Sequence, residues 1–414
     1  VMLLAGPLAT HGLGGQTDLP IPFPVAVIGG AWALTITFAV VAFAWRRPRF
    51  AEPVDVGRPP AIRSWLTVVG TLVTVWVYGA LFLGSDQLRA GAVGFFYTWL
   101  WVGLVPLALV AGHVWRDLSP WRGVQRLLGR ALGRPQGYLR YPSWLGYWPA
   151  AAGLLAFVWL ELCSPDPGST TSVRWWLGTY AVVTVVGGVL FGPRWFNRAD
   201  PFDVYSAVVA RLSPLVVDRR WHPHNPLRTL PTVPLDHGLI AIVAVLLGST
   251  AFDSFGASQE WQLREMSTLG DTVALLVFVL VVGAAFVAAA MATGGVTRAQ
   301  RRALPGDLVH TLVPIVVGYV FAHYLTYLVE KGQRAVIDLL ALDATPSFWL
   351  SERPMLVGTL KVVFVVGGHI LAVLAAHDRA LLTLPRAHRL TGQLAMMVLM
   401  VAYTFMGLYL LLSV

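Results

Sequence analysis

The strongest constraint on this chain is the recurrence of apolar runs about as long as the roughly 20 residues that carry a helix across a bilayer. They lie at about 22–45, 64–84, 93–115, 145–163, 174–193, 237–256, 271–294, 308–330, 355–377 and 392–413. Hydrocarbon offers no water to a backbone, so runs of this length satisfy their peptide groups internally, as helices. An all-α polytopic transmembrane bundle of about ten spans is therefore expected, in keeping with 56% hydrophobic and 12% charged residues.

Arginine placement orients the bundle. The loops 46–63, 116–142, 194–236, 295–307 and 378–391 carry 5, 6, 6, 3 and 3 arginines, together 23, against six basic residues in the opposite loops. Cytoplasmic loops retain positive charge, so both termini are expected outside, in a multi-pass protein of the bacterial inner membrane. The net charge of +9 belongs to these short loops and points to anionic inner-leaflet lipid, not nucleic acid. Residues 1–21 read as an extracytoplasmic segment and 22–193 as a first five-helix half. A cytoplasmic loop at 194–236 and a second five-helix half at 237–414 follow. Five plus five spans with both ends outside is a topology that many transporters build from inverted repeats.

Two arginine-rich loops are expected to hold interfacial amphipathic helices. In SPWRGVQRLLGRALGR, Ser119 is placed to cap and Pro120 to start a helix whose apolar stripe is Trp121, Val124, Leu127, Leu128 and Ala131. In DPFDVYSAVVARLSP, Asp200 caps, Pro201 starts, and Tyr205, Val208, Val209 and Leu212 form the stripe.

Soluble-enzyme signatures are missing: there is no GxSxG, HExxH or GxxxxGK[ST]. The single Cys163 excludes an intrachain disulfide and a CxxC redox motif. The opening VMLLAGPLATHGLGG has no basic n-region. Cleavage after LAT would leave His11 first, and a terminal amine with an imidazole can hold copper.

Titratable groups at bilayer depth are costly and mark sites. At 1.5 Å of rise per residue, Glu161, Asp253 and Lys361 all lie about 24 Å from the cytoplasmic ends of their spans, and His323 about 20 Å. Four helices thus place such groups in the outer third of the bilayer. Tyr319, His323, Tyr327 and Glu330 follow a spacing that keeps them on one helical face. His323, Glu161 and Asp253, with His369 further down, form a candidate ligand set for zinc, copper or iron. The same groups would suit a proton or ion relay. His369 lies some 8 Å below His323, which strains a bis-histidine haem. Met396 and Met400 share a face of the last span, where methionine fills gaps between helices or favours Cu(I).

The segments HGLGGQTDLPIP, WLWVGLVPLALVAGHVWRDLSPWR, FVWLELCSP, STAFDSF, GYVFAHYLTYLVEKGQ and GGHILAVLAAHDRAL resemble a family of bacterial, largely actinobacterial, multipass membrane proteins labelled fenitrothion hydrolase. The likeness covers most of the chain. It implies hydrolysis of an organophosphate triester, and it places Glu161, Asp253, His323, His369 and His377 in characteristic segments; Lys361 is outside the pattern. Three functions are left open: a carrier or channel for a small solute, proton or metal ion, a metal-assisted membrane hydrolase, and an accessory subunit of a membrane complex.

Overall fold

The computed structural model describes residues 19–50, 60–217 and 220–413, so His11 lies outside the described residues. The chain runs through α1 (Phe23–Ala44), α2 (Pro60–Leu83), α3 (Asp86–Phe95), a π-helical segment (Phe96–Val102), α4 (Leu104–Ala111), α5 (Trp115–Leu118) and α6 (Trp121–Ala131). It continues with α7 (Trp148–Leu162), α8 (Thr170–Phe191), α9 (Pro193–Ala199), α10 (Pro201–Val209), α11 (Leu239–Gly256), α12 (Gln259–Gln262) and α13 (Thr268–Met291). Then come α14 (Arg298–Leu308), α15 (Val313–Thr326), a second π-helical segment (Tyr327–Lys331), α16 (Gly332–Leu339), α17 (Pro354–Thr383) and α18 (Leu394–Leu412).

Among the described residues nine helices are long and apolar enough to cross a membrane, and ten if one bent pair counts as a span. In that pair, residues 86–102 and 104–111 meet at 46°. Pro106 accounts for the break: it has no N–H to give, and its ring crowds the carbonyl four residues earlier. Three of the helices entering from the arginine-poor side, α3, α8 and α13, start on serine caps, Ser85, Ser169 and Ser267, each accepting a backbone N–H.

Burial separates a centre from a rim. The span window of α11 is 72% buried and that of residues 298–339 is 78% buried, against 17% for α13 and 28% for α1. The helices that carry Asp253 and His323 are thus the centre of the bundle, and the apolar faces of α1 and α13 remain for lipid.

The most extensive helix contact joins α15 to α17. A Cβ on Gly318 would stand 2.4 Å from the Phe364 carbonyl oxygen, and one on Gly368 would stand 2.6 Å from that of Pro314. Only glycine allows the backbones to pass this closely.

The helix expected to lie on the inner leaflet at DPFDVYSAVVARLSP does not do so. In α10, Pro201 to Ser206, Val208 and Val209 are buried, and the helix is wedged among α4, α5, α7 and α9. Phe202 meets Phe157 and Trp176 with ring centres 5.7 and 5.8 Å away. Its apparent polar face is internal: Asp203 pairs with Arg122 at 2.9 Å and His113 at 3.2 Å, and Asp200 accepts from the Tyr180 hydroxyl at 3.0 Å. Amphipathic periodicity does not distinguish water from a buried polar partner. By contrast α6 keeps Leu127 and Leu128 exposed and packs on α8.

Candidate functional site

Three helices that the sequence could only place at one depth are neighbours. The helix α11 packs on α7 and on α15, which sets Glu161, Asp253 and His323 on adjoining walls. Asp253 and Ser254 occupy the last turn of α11, and together they grip one imidazole: His323 Nε2 lies 3.0 Å from Asp253 Oδ2, and Nδ1 lies 3.1 Å from Ser254 Oγ. Tyr324 donates its hydroxyl to the same Asp253 oxygen at 2.6 Å. Behind Ser254, the Tyr319 hydroxyl stands 3.3 Å from Ser254 Oγ and 3.3 Å from the Gly407 carbonyl of α18.

This network closes in two proton arrangements. With a neutral imidazole, Nε2–H donates to Asp253 and the Ser254 hydroxyl donates to Nδ1. With a charged imidazole, Nδ1–H donates to Ser254 Oγ, and the hydroxyl turns to the Thr250 carbonyl 3.2 Å away. Neither state leaves a buried polar atom without a partner, which is the usual cost of moving a proton in a protein interior.

Asp253, Glu161, Tyr97 and Tyr327 line a cavity of about 1060 Å³ at the arginine-poor end, bounded by α3 and by the segments that join α7 to α8 and α11 to α13. Both Glu161 oxygens are shielded from solvent and have no hydrogen-bond partner among the described residues. A buried carboxyl without a donor is costly unless it holds a proton or a cation. Neither arginine in the wall bonds Glu161: Arg89 meets the exposed Asp86 at 3.2 Å, with its Nε unpartnered among the described residues, and Arg174 donates twice to the Leu81 carbonyl at the end of α2, at 2.9 and 2.6 Å.

The π-helical segments shape this wall. They abut one another, and the Trp99 indole N–H donates to the Gly332 carbonyl at 3.1 Å. Each contributes one tyrosine, Tyr97 or Tyr327. π turns widen the helix and recur at functional sites.

The other candidates part from this group. Glu330 falls inside the second π segment, whose wider turn breaks the regular stripe. Its carboxylate instead accepts the Ser351 N–H at 2.8 Å and the Ser351 hydroxyl at 2.6 Å. Lys361 is buried on α17, one turn from Val365 in the apolar contact with α1 and α18, and it is not among the cavity-lining residues. His369 bonds the Val365 carbonyl through Nδ1 at 2.8 Å, and its buried Nε2 has no partner among the described residues. It adjoins Gly368, at the close crossing with α15, and not the cavity. His377 bridges the Gln393 side chain at 3.0 Å and the Trp45 carbonyl at 2.9 Å, while Asp378 accepts the Arg49 N–H at 2.6 Å; the pair fastens the end of α1.

The expected metal set is not assembled. Among the described residues no three His, Cys, Asp or Glu side chains converge as ligands. Of the four named, His323 and Asp253 touch each other, and both imidazole nitrogens are already occupied.

Ser254, Tyr324 and Tyr97 were not singled out from the sequence. Tyr324 adjoins His323, yet a stripe drawn at steps of four passes over it. Ser254 follows Asp253 directly, and one helix can turn both toward the same neighbour only near the helix crossing. A lone Tyr97 in an apolar run carries no signal.

No protein-family model, curated protein or solved structure matches this chain.

Proposed function

We propose that this integral membrane protein is a carrier that takes a small solute from the arginine-poor side and couples its handling to proton movement at Glu161, Asp253 and His323. The observation that carries this reading is an unpartnered buried carboxyl at a cavity wall, close to an imidazole whose hydrogen bonds close in both protonation states. Intramembrane ionisable groups that face a cavity are the usual substance of proton-coupled transport. The Tyr319 to Gly407 contact links the network to α18, so a proton on His323 is felt by a helix outside the cavity wall.

The test is proton flux into proteoliposomes that contain a pH-sensitive dye, with a panel of small cationic, neutral and anionic solutes. The wild type is expected to acidify or alkalinise the lumen with at least one class, and Glu161→Gln and Asp253→Asn to lose that response. Flux indistinguishable from protein-free liposomes across the panel would sink the reading.

A hydrolytic function is the second reading. It has the family resemblance behind it, and one observation: an imidazole held at both nitrogens beside a carboxylate that lines the cavity. A water in the cavity would meet Asp253 first, with His323 supporting it as a base. Turnover of an aryl phosphotriester by purified protein, lost in Asp253→Asn, would decide for it.

A further inference from the structure

We propose that the cavity beside Glu161 binds a small organic ammonium ion. The inference rests on the transport reading above and names the class of its solute.

The volume excludes a tight fit to a bare ion. At about 1060 Å³ the cavity is as large as pockets that hold small organic molecules. The described residues also offer no three-ligand metal set.

The charge calls for a cation. Both Glu161 oxygens lack a donor among the described residues. Neither wall arginine bonds Glu161: Arg89 meets the exposed Asp86, and Arg174 donates to the Leu81 carbonyl. Asp253 is already met by His323 and Tyr324. Of the carboxyls that line the cavity, Asp86, Asp166, Asp253, Asp271 and Glu161, only Glu161 has buried oxygens without a donor among the described residues, so it is the acid that a ligand would complete.

The wall suits an ammonium group over a neutral alcohol or a hydrated metal. The buried Tyr97, Phe252 and Tyr327 line the cavity, together with Trp261. The Tyr97 ring is held in place by its hydroxyl, which donates to the Pro167 carbonyl at 2.7 Å. Aromatic faces attract alkylammonium groups, most strongly where water is displaced. An acid backed by such rings selects a cation that carries apolar substituents.

The test is equilibrium dialysis of radiolabelled ethylamine, choline and tetraethylammonium against the purified full chain in detergent. The neutral isostere 3,3-dimethyl-1-butanol serves as the charge control for choline. At least one ammonium probe is expected to bind, with choline favoured over its isostere tenfold or more if choline is that probe. Glu161→Gln is expected to weaken binding tenfold or more, Glu161→Asp to retain measurable binding, and Tyr327→Leu to weaken it severalfold. Each variant is compared after eluting as a monodisperse peak. Absence of binding by all three probes, equal binding of the isostere, or full affinity in Glu161→Gln would overturn the proposal. If proton flux persists in liposomes in that event, the transport reading survives without it. Binding that depends on Glu161 in a protein without flux would uphold the ammonium site and remove transport.

Discussion

Asp253 and His323 meet across two packed helices at 3.0 Å, and the same carboxylate oxygen receives the Tyr324 hydroxyl at 2.6 Å. One oxygen therefore serves two donors from consecutive residues of α15. Asp253→Asn would leave the imidazole and phenol facing a weaker acceptor, at a cost of about 1–3 kcal/mol. Tyr324→Phe removes one donor and leaves the acid satisfied by His323, for about 1 kcal/mol. Thermal unfolding in detergent should rank the variants in that order; the reverse order would mean that Asp253 is not the shared acceptor.

The crossing of α15 and α17 should be sensitive to single methyl groups. Gly318→Ala and Gly368→Ala each push a Cβ into a backbone carbonyl, and a loss of about 1–3 kcal/mol is expected from overpacking. Gly367→Ala is the control, because its Cβ would meet nothing within 4 Å, and it should be neutral or slightly stabilising. Equal effects at Gly367 and Gly368 would contradict the crossing.

Glu330 is expected to behave as a fastener. Ser351→Ala removes the 2.6 Å bond and should expose the connection between α16 and α17 to limited proteolysis several times faster than in the wild type. Proton flux and ligand binding should not change. A flux defect in Ser351→Ala with unchanged proteolysis would return Glu330 to the functional site.

Acid stability should reveal the ion pairs behind α10. Burial pushes the Asp203 carboxyl up, but His113 and Arg122 beside it outweigh that and hold it below its ordinary value. A folded value below the unfolded one means that the ionised acid stabilises the protein above the unfolded value, roughly 3.9. That contribution is lost as pH falls through the lower folded value. Asp203→Asn should cost on the order of 3 kcal/mol near neutral pH, because Arg122 loses its partner. The gap from wild type in melting temperature should narrow below about pH 4; a gap that stays constant down to pH 3 would count against the pairing.

The membrane helices were legible because each needs only a run of apolar residues, a property of local composition. Depth was legible for the same reason: rise per residue is constant, so Glu161, Asp253 and His323 could be set at one level without knowing which helices touch. Glu330 failed because that reasoning assumed an unbroken α-helix, and the π turn at Tyr327–Lys331 changes the rotation per residue. The helix at Pro201–Val209 failed because a stripe of polar residues looks the same whether it faces water or Arg122 and Tyr180.

By itself, then, the sequence determined a polytopic helical membrane protein; which of its apolar runs form the rim was decided only by the burial of α11 and α15. It also determined which titratable groups share a level. Only the tertiary structure decided that α11 stands between α7 and α15, that Lys361 and His369 are turned elsewhere, and that Ser254 and Tyr324 complete the grip on His323 and Asp253. The physical reason is that span and depth follow from residues close in the chain, whereas helix adjacency and rotation follow from packing between residues far apart in it, 70 positions for Asp253 and His323 and 332 for Trp45 and His377.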